Sequence, residues 1–368
     1  MVKYVCESCG AISPVKTTSY KCGCGGLFRL SYPKKRVDFQ KTAISREISL
    51  FKYADALPFD IAAAPWREMS MGEGNTPLLR LGNALYCKAD YYMPTLSFKD
   101  RGAAVLMLAA KTLGIKEVVA DSSGNAGTSI AAYGARADIL CHIFVSAATS
   151  KKKLEQIEAH GAKLHIINGS REDVASSAIT FVKERGLFYA SHIYNPFFYE
   201  GTKTYAYEVF EQLNFSMPDA FLLPVGNGTL VLGVHLALKE LHEWGYIDRM
   251  PQIIAVQAEP CAPIAKAFLH GETEVTAVEN TGTAAEGIAI AAPARGADIL
   301  RAVRETGGNV LTVTDEDILL ARKVLARMGL YVETTSAASY AAYVKLEKEA
   351  YIQEKSVVVP LCGAGLKG

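Results

Sequence analysis

Short apolar runs alternate with amphipathic stretches along most of this chain. Glu117–Ala120, 142–145 and Lys163–Ile167 are runs of four or five residues rich in Val and Ile, the length and composition of buried strands. Around them, 101–113, 127–137, 151–160 and Arg171–Arg185 carry apolar positions at helical spacing. The rhythm returns at Ala220–Pro224 with 230–243, and again at 253–257. Further amphipathic helices are predicted over 318–327 and 336–349, and 357–361 is a last apolar strand. Such alternation predicts open, mostly parallel sheets covered by helices, an α/β architecture whose ligands collect at the carboxyl ends of the strands.

Composition narrows the function classes. The 368 residues, half of them hydrophobic, are enough for two or three domains. A net charge of +1, with both signs mixed along the chain, points to neither nucleic acid nor a membrane surface. No apolar run reaches the ~18–20 residues of a bilayer span. The first residues lack the apolar core of a secretory signal, so a cytoplasmic protein is expected. A homodimer is the default expectation for its assembly.

Four of the eight cysteines fall in the first 24 residues. Cys6-Glu7-Ser8-Cys9 and Cys22-Gly23-Cys24 form a C-x2-C pair followed by a C-x-C pair, flanked by Gly10 and by Gly25-Gly26. Two thiolates from one loop reach one metal only through tight turns, and glycine supplies the positive φ these require. Four thiolates suit tetrahedral zinc and leave no open position for a substrate. A structural zinc-ribbon-like knuckle over 1–30 is therefore predicted, with Cys6, Cys9, Cys22 and Cys24 as ligands. Few basic residues surround it, which disfavours a nucleic-acid role. Residues 31–70 read as a connector of mixed charge.

The candidate chemistry centres on Ser97-Phe98-Lys99-Asp100-Arg101-Gly102, which opens a helix rich in Ala and Leu. A lysine amine can form a Schiff base with an aldehyde, and pyridoxal phosphate (PLP) is the aldehyde cofactor that exploits this. A helix-start lysine that neutralises Asp100 explains the string equally well. Three small-residue loops each follow an apolar strand. Ser122-Ser123-Gly124-Asn125-Ala126-Gly127 offers amides and hydroxyls to an anion, and Asn125 suits a phenolate oxygen such as that of PLP. Gly226-Asn227-Gly228-Thr229 precedes a helix and makes a phosphate nest without the P-loop ending. Cys362-Gly363-Ala364-Gly365 places a thiol at a strand end. An ordinary turn explains the first loop, and a small buried residue explains Cys362.

The order of these strings, with Gly74-Asn75-Thr76-Pro77-Leu78 ahead of them and Gly363-Ala364-Gly365-Leu366-Lys367 at the end, resembles the threonine synthase family among the fold type II PLP enzymes. The resemblance covers roughly residues 70–368. It implies a fold like that of the tryptophan synthase β chain, with two open parallel-sheet domains besides the knuckle. The large PLP-binding domain would comprise 71–100 and 203–368, and the smaller mobile domain 101–202. It implies Lys99 as the Schiff-base lysine behind Phe98, Asn125 at the PLP phenolate oxygen, Gly226, Asn227, Gly228 and Thr229 around its phosphate, and Cys362 at the pyridine nitrogen. Ser123, Gly124, Asn125 and Ala126 would bind the carboxylate of a small amino-acid substrate. The implied activity is a carbon–oxygen lyase converting O-phosphohomoserine and water into threonine and phosphate.

Three features depart from the family. Cys362 stands where threonine is usual, and the 122–127 string looks dehydratase-like. Phe198, in Asn195-Pro196-Phe197-Phe198-Tyr199-Glu200-Gly201, stands where the family carries an arginine for the substrate phosphate. A ring cannot replace a bidentate guanidinium; Lys203 or Arg295 would have to compensate. The alternatives are a serine/threonine dehydratase-type β-eliminase and a non-catalytic PLP- or zinc-binding interaction protein.

Overall fold

The computed structural model describes residues 2–367. It divides into two compact units. One comprises the residues up to Glu73 together with Lys99–Gly201, and the other Gly74–Phe98 together with Thr202 onward. Among the described residues the strands form three sheets.

The second unit is built on six strands in the order Asn309–Val313, Gln252–Ala258, Ala220–Pro224, Val357–Pro360, Leu85–Lys88, Leu78–Arg80. All pairs are parallel except the last. Ala220–Pro224 and Val357–Pro360 are buried at every position, as strands covered by helices on both faces must be. Each ends in proline, which lacks the N–H needed to continue the ladder. From Ala220–Pro224 the chain adds Gln252–Ala258 and Asn309–Val313 on one side, then returns to place Val357–Pro360 on the other. That reversal opens a crevice beyond the carboxyl ends of the two central strands. Their following loops are 226–229 and 362–365.

The first unit carries a parallel sheet in the order Lys163–Ile167, Leu140–Ser146, Glu117–Ala120, Phe188–Tyr189. Helices Lys99–Thr112 and Asn125–Ala137 pack on each other beside it. Lys99–Thr112 is buried at every residue from Asp100 to Ala110, so it is a central core helix rather than a surface one. Gly134 lets Asn125–Ala137 approach Cys141, whose sulfur a Cβ there would overlap. Helix Arg171–Arg185 starts with a reciprocal Ser170–Asp173 capping box and stops at Gly186, whose φ is 62°.

The amino-terminal ribbon belongs to the same unit. Lys3–Cys6 is the centre of an antiparallel sheet with Ile12–Pro14 and Phe28–Ser31. Tyr4, Cys6, Phe28 and Leu30 join Leu50, Phe51, Leu57, Trp66 and Met69 in one core with helix Lys99–Thr112. Residues 31–70 thus contribute buried apolar side chains. No helix among the described residues is long and apolar enough to cross a membrane.

Candidate functional site

In the second unit, the 226–229 loop turns from Ala220–Pro224 into helix Thr229–Glu243. Gly228 has φ 78°, a left-handed conformation that glycine adopts without strain. A Cβ at Gly226 would lie 2.8 Å from Ile290, and one at Gly228 would lie 2.5 Å from Ile299. The first-turn amides of a helix have no intrahelical acceptor. Here they follow two glycines that leave the backbone bare, which is the donor set a phosphate monoester needs.

The 362–365 loop is laced between two other segments of the same unit. Phe98 N–H donates to the Cys362 carbonyl at 2.8 Å, and Ala364 N–H donates to Leu96 O at 3.0 Å. From the other side, Glu333 N–H donates to Gly363 O at 2.9 Å, and Gly365 N–H donates to Tyr331 O at 3.0 Å. Gly363 N–H donates to Ser336 Oγ at 3.1 Å. The peptide immediately before Lys99 is therefore fixed to the backbone of Cys362. Leu96 has φ 62°, a costly conformation for a branched side chain. The lacing holds it there and fixes Ser97 and Phe98 after it. Ser97 Oγ is buried and has no hydrogen-bond partner, as a hydroxyl awaiting a ligand would be.

In the first unit, Lys99 is the first residue of its helix, with Nζ 5.9 Å from the centroid of the Phe198 ring. Asp100 is buried and accepts the Ser129 hydroxyl at 2.6 Å. The 122–127 loop leads from Glu117–Ala120 into helix Asn125–Ala137, capped by Gly124. A Cβ at Gly127 would overlap the Ser122 carbonyl, so this tight entry demands glycine. Residues Asn125, Ala126 and Gly127 present first-turn amides.

The sequence strings left out three side chains that the structure gathers around this region. Asp121 closes the strand before the loop; burial raises its carboxyl pKa, against the pull of the Tyr189 hydroxyl and the Arg171 charge. Asp121 Oδ1 and Tyr189 Oη are both buried. His192 is held well below its ordinary 6.5 by burial, then by the charges of Lys99 and Arg171, so it is neutral. Its ring meets Phe198 edge-on at 5.9 Å. Only a position at or after the end of a strand, well separated from the Lys99 string in sequence, marks these groups.

Phe198 itself is fully buried, and its ring fills the space where Gly102 lacks a Cβ. Neither compensating cation considered above is an exposed anchor. Lys203 Nζ donates to Glu240 at 3.1 Å with both side chains buried, and Arg295 pairs with Asp298 at 3.2 Å.

In the ribbon, the four sulfurs of Cys6, Cys9, Cys22 and Cys24 lie within 4.8 Å of one another. Cys6–Cys24, Cys9–Cys24 and Cys9–Cys22 are 3.5, 3.4 and 3.7 Å apart. Sulfurs at tetrahedral zinc, with bonds of ~2.3 Å, are separated by about 3.8 Å. Gly10 and Gly25 adopt φ of 72° and 88° at the two turns. A Cβ at Gly26 would lie 2.6 Å from Cys6 Sγ.

The donor set fits PLP: a lysine amine, an amide nest after two glycines, a buried thiol at a strand end and an orphaned buried hydroxyl. Comparison with known proteins agrees. The model of the pyridoxal-phosphate dependent enzyme family matches residues 69–363. The threonine synthase of Methanocaldococcus jannaschii is 35% identical over 98% of this chain and 92% of its own. That of Methanosarcina acetivorans is 35% identical over 96% and 89%. Among solved structures, tomato threonine deaminase superposes with a TM-score of 0.71 at 24% identity, covering 86% of this chain and 89% of that one. Maize serine racemase gives 0.70 at 22%, covering 79% and 88%. The architecture is thus that of the fold type II PLP enzymes, and the chain belongs to the pyridoxal-phosphate dependent enzyme family, as a relative of the threonine synthases.

Proposed function

We propose that this lyase converts O-phosphohomoserine and water into threonine and inorganic phosphate. The observation that carries the reading is the near full-length likeness to threonine synthases, which extends beyond the cofactor-binding body into the ribbon. When bound, PLP withdraws electrons from the substrate α-carbon. Lys99 would anchor it through Nζ at the aldehyde carbon, with the amides of Gly226, Asn227, Gly228 and Thr229 and the Thr229 hydroxyl on its phosphate. Asn125 would donate to the phenolate oxygen. Cys362 would face the ring nitrogen, and Phe98 would line the cofactor site.

Ser123, Gly124, Asn125 and Ala126 hold the substrate carboxylate through amides at the helix start and a hydroxyl. Once substrate has taken its place on the cofactor, the Lys99 amine moves the proton at Cα. Cβ gives up a proton as the Cγ–O bond breaks with its electron pair leaving on phosphate; a proton then adds at Cγ, and water supplies the hydroxyl at Cβ and the proton that returns to Cα. Neutral His192 beside Lys99 adds no further positive charge to this region.

Phe198 in the arginine position favours a second reading, β-elimination from a hydroxy amino acid to a keto acid and ammonia. Parallel incubation with O-phosphohomoserine and with threonine separates the two. We expect phosphate and threonine in equal amounts from the first substrate. Ammonia and 2-oxobutyrate from threonine, with no phosphate released from O-phosphohomoserine, would replace our reading with the second.

We further infer that the ribbon holds one structural zinc on Cys6, Cys9, Cys22 and Cys24. Metal analysis should find one zinc per chain in the wild type and none in the Cys6→Ser/Cys9→Ser variant. Equal metal in both would remove the assignment.

A further inference from the structure

We propose that the metal-bound ribbon is a brace for residues 188–198, and that Tyr20 is the positioning residue through which it acts. The inference rests on the zinc reading and on Lys99 as the reacting lysine. Its geometry lies within one unit.

Tyr20 stands two residues before Cys22, in a stretch without regular structure. Its ring packs edge-on against Tyr189 at 5.4 Å and Tyr194 at 5.1 Å. Lys21 Nζ lies 5.2 Å from the centroid of the Tyr194 ring. On the neighbouring strand, Tyr4 stacks on Phe28 at 5.1 Å, meets Phe197 at 6.2 Å and turns its hydroxyl to Asn195. The ribbon therefore grips 188–198 from both of its cysteine pairs.

The gripped segment is tied into a compact loop. Asn195 Nδ2 donates to Tyr189 O at 3.5 Å, its Oδ1 accepts Phe197 N–H at 3.2 Å, and Tyr199 Oη donates to Ile193 O at 2.6 Å. The far side of that loop carries His192 and Phe198, and Phe198 faces Lys99. A shift of Tyr189 and Tyr194 is therefore passed to the groups beside the reacting amine.

Metal strengthens the grip because the backbone bonds of the Tyr20 turn are local. Around Cys22 the backbone bonds are Cys22 N–H to Gly26 O and Gly25 N–H to Cys22 O, both local. Without an ion, four adjacent sulfurs have no common partner, and metal binding supplies the order of such a loop. With the ion removed, Tyr20 loses its fixed position and 188–198 loses one wall.

The experiment uses the PLP-loaded enzyme with its zinc, the same enzyme after chelation under reducing conditions, and the Tyr20→Ala and Tyr20→Phe variants. Zinc content, amide hydrogen exchange and KM and kcat are read for each. Tyr20→Ala should keep its zinc and exchange about tenfold faster across 188–198, with helix Thr334–Lys348 unchanged. KM should rise by about tenfold, more than kcat falls. Tyr20→Phe keeps the ring and should restore both readouts, and chelation should reproduce the alanine effect. Faster exchange confined to residues before 32, with KM unchanged, would overturn the brace. A wild type without zinc would overturn its metal dependence, while the exchange of Tyr20→Ala still reports on the contact itself. Absence of turnover with either substrate would refute the functional reading and leave the exchange result standing.

Discussion

Replacing Lys99 with alanine should lower turnover by at least about a thousandfold, the scale on which a group that moves a proton in the reaction contributes. The protein should stay folded. Lys99 is only partly buried at the first position of its helix, and alanine is the best helix former. The 226–229 nest is untouched by the change, so PLP should still bind, without a covalent link. The variant should therefore contain cofactor that dialyses away, and should melt within a few degrees of the wild type. A variant that retained a tenth of the activity would show that another group does the work of Lys99.

The second large effect concerns stability. Lys88 and Glu208 are fully buried and 2.7 Å apart. Lys88 Nζ also donates to Thr76 O at 2.6 Å and Gln212 Oε1 at 2.9 Å. Glu208 accepts Asn75 N–H at 2.8 Å. The pair thus holds both ends of the Asn75-Thr76 turn, where Asn75 has φ 47°, a conformation that asparagine tolerates. Lys88→Met strands a buried carboxylate and should cost about 3–5 kcal/mol. The Lys88→Met/Glu208→Leu double variant should recover part of that, because two desolvated charges leave together. Urea unfolding followed by tryptophan fluorescence measures both. A loss below about 1 kcal/mol for the single variant would mean the pair behaves as a solvated surface bridge.

The parts of the fold that sequence periodicity exposes are those with long, regular segments. The strand Glu117–Ala120 and the helix Arg171–Arg185 stand where their patterns predict them. The helix predicted over 101–113 starts at Lys99 instead. Phe98, the residue before it, is held in the bond to Cys362, so the turn is set by a partner more than 260 residues away. Phe188–Tyr189 is too short to alternate. Leu85–Lys88 shows its role only beside Val357–Pro360, a pairing that no local pattern encodes.

The candidate site divides in the same way. Glycine and small-residue loops announce themselves because the backbone needs them: Gly127 would overlap Ser122, and Gly228 takes a positive φ. Asp121, Tyr189 and His192 carry no such mark, since their partners come from separate strand ends. Glu333 is a further case. It neighbours the thiol loop at Gly363, where a Cβ would lie 2.5 Å from the Glu333 carboxyl carbon. The mixed-charge composition of 31–70 suggests a connector, yet Leu50, Phe51 and Trp66 are spaced irregularly and still reach the core.

The proposed reaction depends first on which side chain bonds the cofactor aldehyde. Borohydride reduction of the PLP-loaded protein, followed by proteolysis and mass mapping, reads this directly. The account predicts one pyridoxyl-labelled peptide, the one containing Phe98-Lys99-Asp100, and none from Lys99→Ala. A label on Lys88, Lys203 or any other lysine, or an unlabelled digest from loaded protein, would contradict it.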